Sequence, residues 1–278
     1  MIVREVPAPA DDSWVVAIHG SEDDWMPLGT GVLIDEYRVL TCAHVVTGRT
    51  VEAELWVAFA KAEQQERRRV SALVAVGGVP ANVADVVVLV LAEPAPACAR
   101  PAPLRDPAGT DLVDREWWAF GFPAGDWEGS AASGRVGAAL AYGWARLHTG
   151  SRYPVEQGFS GGGLWSPEYA AVVGLVGQAR EGDAHAGDGR ALTLRQILGW
   201  LPEEKLDKLT RWSVAASGEA ALAAWGWNLD QDPEAGRHWR PRARGVSIDS
   251  EQGYRFRGRR VALTEIVAWL RRDIPDRC

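Results

Sequence analysis

Cysteine is scarce in this sequence: three residues in 278, Cys42, Cys98 and Cys278. So sparse and odd a set excludes the disulfide framework of a small secreted domain, and all three are expected to be reduced. No Cys/His cluster has metal-ligand spacing, so a structural zinc is excluded and no metal or other cofactor is expected. Long apolar runs are missing too. No stretch approaches the roughly 20 residues that a membrane helix needs, so no membrane partner is expected. The opening MIVREVPAPADDSW has one early Arg, then prolines and acids, without the apolar run and small-residue cleavage site of a secretory signal. A cytoplasmic location is the expectation. Positive charge is short over residues 1–200, with 16 Lys/Arg against 25 Asp/Glu, a net of −9. That deficit argues against nucleic acid as a partner.

What is present fits a soluble globular chain with a sizeable core: 47% of residues are apolar and 24% charged. The length suits one large domain or two modest ones. Short β-branched runs separated by Gly, Pro and Asp fill the first two-thirds: WVVAI (14–18), GTGVLI (29–34), RVLTCA (38–43), LWVAFA (55–60), VSALVAV (70–76) and DVVVLVL (85–91). Their spacing predicts an all-β barrel or sandwich. A Pro- and Ala-rich connection over 93–110 follows. Then come REWWAFGF (115–122), GRVGAALAY (134–142), SGGGLW (160–165) and AAVVGLVGQA (170–179), a second group of strands. From Leu192 the apolar residues fall at helical spacing, in LTLRQILGWL and again in EEKLDKLTRWSVAASGEAALAAWGW, which predicts a helical tail.

Three residues in this background have chemistry in common. A serine hydroxyl is a poor nucleophile until an imidazole takes its proton, and the imidazole needs a carboxylate to fix its tautomer. Ser160 sits in Gly158-Phe159-Ser160-Gly161-Gly162, where glycines permit a sharp turn and let backbone amides approach a reacting carbonyl. His44 ends an apolar run in TCAHVV. Asp85 opens another in ADVVVL, where a carboxylate at the head of a buried strand needs a partner.

TCAHVV, DVVVLVL and GFSGGGLW resemble the histidine, aspartate and serine motifs of the trypsin-like or chymotrypsin-like serine peptidases, in that family's order, across residues 13–201. His44 and Asp85 are 41 positions apart, and Asp85 and Ser160 are 75 apart. These compact spacings resemble the bacterial intracellular and periplasmic branches. The resemblance implies two six-stranded antiparallel β-barrels, about 13–95 and 112–201, with a C-terminal helical extension. It implies Ser160 as nucleophile, His44 as general base and then acid, and Asp85 as orienting carboxylate, with Gly158 and Ser160 giving the oxyanion-hole amides. The substrate would be a protein or peptide. Pro154 would stand at the base of the specificity pocket with Glu156 nearby, and Val173 to Gly177 would form another wall, Gly174 and Gly177 leaving room for a side chain.

Departures from the family carry information as well. Phe159 precedes the serine where zymogen-activated relatives have an Asp that receives a new amino terminus, so that switch cannot operate. Gly163 replaces a common Pro, and Pro154 replaces the Asp of relatives that prefer Arg or Lys. These changes motivate the rival reading, a catalytically silent protease-fold interaction module. An esterase with a nucleophile elbow expects the order Ser, Asp, His, and here His comes first. Cys42, two residues before His44, is readable either as a reactive thiol or as a small buried group.

The tail divides into a helical extension (202–227), an Arg-rich linker (228–253) and a last helix (254–278). Trp200, Trp212, Trp225, Trp227, Trp239 and Trp269 are readable as core packing or as a partner-binding face. Eight arginines between Arg237 and Arg260 face only Asp249 and Glu251, which fits a solvated linker or docking to an acidic surface or to nucleic acid. The segment Tyr254-Arg255-Phe256-Arg257-Gly258-Arg259 with the helix after it resembles the lead-in to the nucleotide-binding domain of STAND ATPases, and no phosphate-binding G-x-x-x-x-G-K-[ST] follows. That resemblance implies the regulated protease module of a bacterial defence or signalling protein, with an ATPase or sensor domain attached or associated.

Overall fold

The computed structural model describes residues 6–204 except 49–54, 62–65, 81–82, 124–125, 152, 178–188 and 202–203. The expected segments 205–278, with the Arg-rich linker and last helix, lie outside the described residues, as does nearly all of the 202–227 extension.

Strands β1 (Val15–His19), β2 (Gly29–Leu33), β3 (Arg38–Thr41), β4 (Trp56–Ala58), β5 (Arg67–Ala75) and β6 (Val87–Leu91) close into an antiparallel barrel in the order β1-β2-β3-β6-β5-β4. The second barrel holds β7 (Glu116–Gly121), β8 (Ser130–Ala139), β9 (Trp144–Thr149), β10 (Gly163–Ser166), β11 (Ala171–Gly177) and β12 (Gly189–Thr193). Read from β7, its order β7-β8-β9-β12-β11-β10 repeats that of the first. The expected pair of six-stranded antiparallel barrels is therefore present, and one short helix, α1 (Leu194–Trp200), follows the last strand. The helical periodicity seen from Leu192 begins two residues late, because Leu192 and Thr193 finish β12 as partners of Trp144 and Gly174.

Every residue of β1, β2 and β11 is buried. Such strands read as continuous apolar runs because one face fills a barrel and the other meets its neighbour. Trp117, Phe159, Leu164 and Val173 belong to the interior of the second barrel. A larger cluster joins the two barrels, and at its centre Trp14 stacks on Trp165 (centroids 6.3 Å apart) and meets Trp118 edge-on (6.5 Å). Trp14 comes from the lead-in to β1 and the other two from the second barrel. The connection from β6 to β7 binds both: Ala102 donates to the Leu33 carbonyl, while Leu104 bridges to Val172. The two barrels thus meet through paired apolar surfaces.

Candidate active site

Strand β3 ends at Thr41, and the chain turns through a single 3-10 turn, Ala43–Val46, that carries His44. The His44 amide donates to Asp85 Oδ1 (2.9 Å), and its ring Nδ1 lies 2.6 Å from Asp85 Oδ2. Both carboxylate oxygens are therefore engaged by one residue. A third of the His44 side chain is exposed against 11% of the Asp85 side chain, so the imidazole keeps an open edge while the carboxylate is shielded.

Asp85 precedes β6, in a segment held by short-range bonds from Val83 and Ala84 to the Pro80 carbonyl. The Val83 carbonyl accepts the indole N–H of Trp144 from the second barrel (3.1 Å). The placement of Asp85 thus depends on a contact that no local sequence pattern announces.

The loop before β10 bends twice at glycine. Gly158 has φ +106°, and a Cβ there would lie 1.9 Å from the Phe122 carbonyl oxygen; Gly161 has φ +83°, with Thr41 Oγ1 2.1 Å from the place of its Cβ. No other residue fits at either position. Between them Phe159 is wholly buried, its Cα and ring 2.6 Å from where a Cβ on Gly121 would lie. Phe159 N donates to the Glu156 carbonyl, Gly162 N to that of Phe159, and Gly161 N to that of Val176. From the first barrel, Thr30 donates its amide to the Ser160 carbonyl (2.9 Å) and its hydroxyl to the Gly158 carbonyl (2.7 Å). The bonds that fix the loop use these carbonyls and the amides of Phe159, Gly161 and Gly162. The amides of Gly158 and Ser160 are not among them.

The Ser160 loop packs on the turn that bears His44. A Cβ at Gly29 would touch both Val45 (2.9 Å) and the Ser160 carbonyl oxygen (3.1 Å), and one at Gly161 would lie 3.0 Å from the Cys42 amide nitrogen. Cys42 is fully buried, and its thiol donates to the Val176 carbonyl (3.3 Å). Burial first, then the Asp85 carboxylate, push that thiol well above its ordinary range, so it stays protonated and fits the small buried group rather than the reactive thiol. Its sulfur lies within 4.8 Å of the facing His44 and Asp85 atoms. Nδ1 and Oδ2 are bonded to each other and the thiol to the Val176 carbonyl, so Cys42 packs beside the His44–Asp85 pair.

The family model that matches this chain describes a trypsin-like peptidase domain and covers residues 29–175. The chain belongs to the trypsin-like peptidases. No curated protein sequence matches this peptidase. Among solved structures it is similar to one described as neuropsin, a serine protease expressed in the limbic system of mouse brain, with a TM-score of 0.57 and 14% identity, over 72% of this chain and 97% of that one. At that identity the likeness shows the fold.

Around the expected specificity pocket, Pro154 and Glu156 are exposed, whereas Val155 between them is buried against Gly189. Val173 points into the apolar interior of its barrel. On the side where a Cβ would project, both glycines are closely packed: a Cβ on Gly174 would lie 2.5 Å from the Leu192 carbonyl oxygen, and one on Gly177 would lie 2.5 Å from the Trp144 ring. Both glycines allow close packing of strands on that side. Sequence reasoning passed over Thr30 and Trp144. A threonine between two strand glycines and a tryptophan after a Tyr-Gly turn carry no motif.

Proposed function

We propose that this peptidase is an active serine endopeptidase in which Ser160 attacks the scissile carbonyl, His44 is general base and then acid, and Asp85 orients the imidazole. The observation that carries this reading is the double attachment of His44 to Asp85. The 2.6 Å Nδ1 contact fixes the tautomer that leaves Nε2 free to accept a proton. The Ser160 hydroxyl gives up its proton to Nε2 as its oxygen bonds to the carbonyl carbon. The resulting oxyanion is met by the amides of Gly158 and Ser160, and His44 returns the proton to the leaving amine as the C–N bond breaks. Water repeats the sequence on the acyl-enzyme. Each oxyanion donor in such sites is worth about 10²–10³ in rate, which is why the glycine-dependent turns around Ser160 matter as much as the triad. A silent interaction module would have no need of a shielded carboxylate held against the one imidazole beside the serine loop.

Pro154 offers no charge to a basic side chain and Val155 is apolar, so the reading includes preference for small or apolar residues before the scissile bond. The test is turnover of a peptide library by the wild type beside Ser160→Ala: cleavage by the first and none by the second supports the reading, and equal cleavage by both overturns it.

We also infer, from the Phe159 substitution and the resemblance of the tail to a STAND lead-in, that control comes from outside the barrels, as in the regulated effector of a bacterial cytoplasmic defence or signalling protein. Comparing turnover by residues 1–278 with that of a longer natural protein, with and without nucleotide, tests it. Equal rates throughout would leave substrate access as the only restraint.

A further inference from the structure

Thr30 is completely buried, the second residue of β2, between Gly29 and Gly31. Each of its polar groups has one task. Its carbonyl accepts the Thr41 hydroxyl (2.7 Å), its amide donates to the Ser160 carbonyl, and its own hydroxyl donates to the Gly158 carbonyl. Two of the three bonds cross from the first barrel to Gly158 and Ser160, the two residues whose amides are proposed to meet the oxyanion.

Gly158 is the natural hinge of that loop, since a glycine at φ +106° is free to rotate where another residue is not. Rotation there would swing the Gly158 amide away from a reacting carbonyl. A peptide unit is planar, so fixing the Gly158 oxygen fixes the Gly158–Phe159 plane on the far side of the hinge, the reference from which the Gln157–Gly158 peptide with the Gly158 amide is set. Phe122 N donates to that oxygen as well, at 3.1 Å from within the second barrel, but only the 2.7 Å bond from Thr30 ties it to the barrel that bears His44 and Asp85. The amide bond to Ser160 fixes the far side of the loop. This arrangement also supplies what the Phe159 substitution removes, a polar anchor for the turn around the nucleophile.

We propose that Thr30 is a positioning residue for the oxyanion loop: its hydroxyl, reaching from the first barrel, holds the Gly158–Phe159 peptide, the fixed plane from which the hinge aims the Gly158 amide at the substrate carbonyl. The inference rests on the serine-peptidase reading and deepens it. Any residue at position 30 keeps the backbone bond to Ser160, so the hydroxyl can be tested by itself.

The experiment compares wild type, Thr30→Val, which keeps the shape and loses the donor, and Thr30→Ser, which keeps the donor, on one peptide ester substrate and one peptide aldehyde inhibitor. In Thr30→Val, kcat is expected to fall about 10- to 100-fold, less than the outright loss of a donor, with KM changed by less than about threefold. Affinity for the aldehyde, whose tetrahedral adduct carries the oxyanion, should fall by a similar factor, while the midpoint of the pH profile of kcat/KM stays in place. Thr30→Ser should recover most of both. If Thr30→Val does not fold, Thr30→Ala is read in the same way. A folded variant without the hydroxyl whose kcat and aldehyde affinity stay within twofold of wild type overturns the inference, as does a Thr30→Ser enzyme no better than Thr30→Val. An inactive wild type would overturn the peptidase reading and this inference with it.

Discussion

His44 holds Asp85 at two points, the backbone amide on Oδ1 and the ring on Oδ2, so the carboxylate locks both the turn and the imidazole. Loss of charge with retention of shape separates these roles. Asp85→Asn should fold, yet present an amide N–H or a weaker acceptor to Nδ1 and favour the wrong tautomer. A fall in kcat on the order of 10⁴ is expected, with the melting temperature changed far less than the rate. Near-wild-type turnover in Asp85→Asn would mean that His44 is oriented by something else.

The interface between the barrels depends on Trp14, which is buried to 1% and touches two other indoles. Trp14→Ala leaves a cavity that two rigid rings cannot fill, and a loss of about 3–5 kcal/mol is expected in denaturant titration. Activity should fall in parallel with the folded fraction. A loss below about 1 kcal/mol would show that the barrels do not rely on this cluster.

His19 gives the fold an acid sensitivity outside the site. It is buried in β1, and burial first, then the neighbouring Arg67 guanidinium, bring its pKa down from 6.5 to about 4, against a smaller upward pull from Asp24. The native state keeps the ring neutral while the unfolded chain protonates it below its ordinary pKa. The stability this group contributes is therefore whole above about pH 6.5 and lost as the pH falls towards 4, by up to roughly 3 kcal/mol. Urea titrations at pH 7 and pH 4.5 should show a smaller drop in His19→Gln than in wild type. Equal drops would assign the acid sensitivity to the carboxylates alone.

Cleavage after Arg or Lys should not dominate the substrate profile, because Pro154 offers no charge and an unpaired buried cation is costly. Glu156 is the nearby acid, and it is exposed. A strong Arg/Lys preference that vanishes in Glu156→Gln would show that this carboxylate turns into the pocket.

Ten of the twelve strands stand out in the sequence as short apolar runs bounded by Gly, Pro and Asp, most plainly β1 and β11, which are buried along their whole length. The two that do not, β9 and β12, are those whose pattern is diluted. In WARLHT only Ala145 and Leu147 are fully inside, and GRALT runs straight into the helix α1. The residues proposed for the chemistry were legible because a triad draws on three residue types in fixed order with glycines around the serine. Thr30 and Trp144 act through hydrogen bonds to residues distant in the chain, which no spacing encodes. Gly174 and Gly177 each admit a close neighbour that no spacing announces, the Leu192 backbone in one case and the Trp144 ring in the other.

The central claim is that Ser160 is an activated nucleophile. Its most direct test is reaction of the folded chain with a fluorophosphonate probe, read by intact mass and by peptide mapping, since the reagent needs an activated serine and an oxyanion hole rather than a particular substrate. The account predicts one adduct per chain, on Ser160, absent in Ser160→Ala and reduced to background in His44→Ala. A folded wild type that stays unlabelled while a known serine peptidase reacts beside it, or an adduct on another residue, would contradict it.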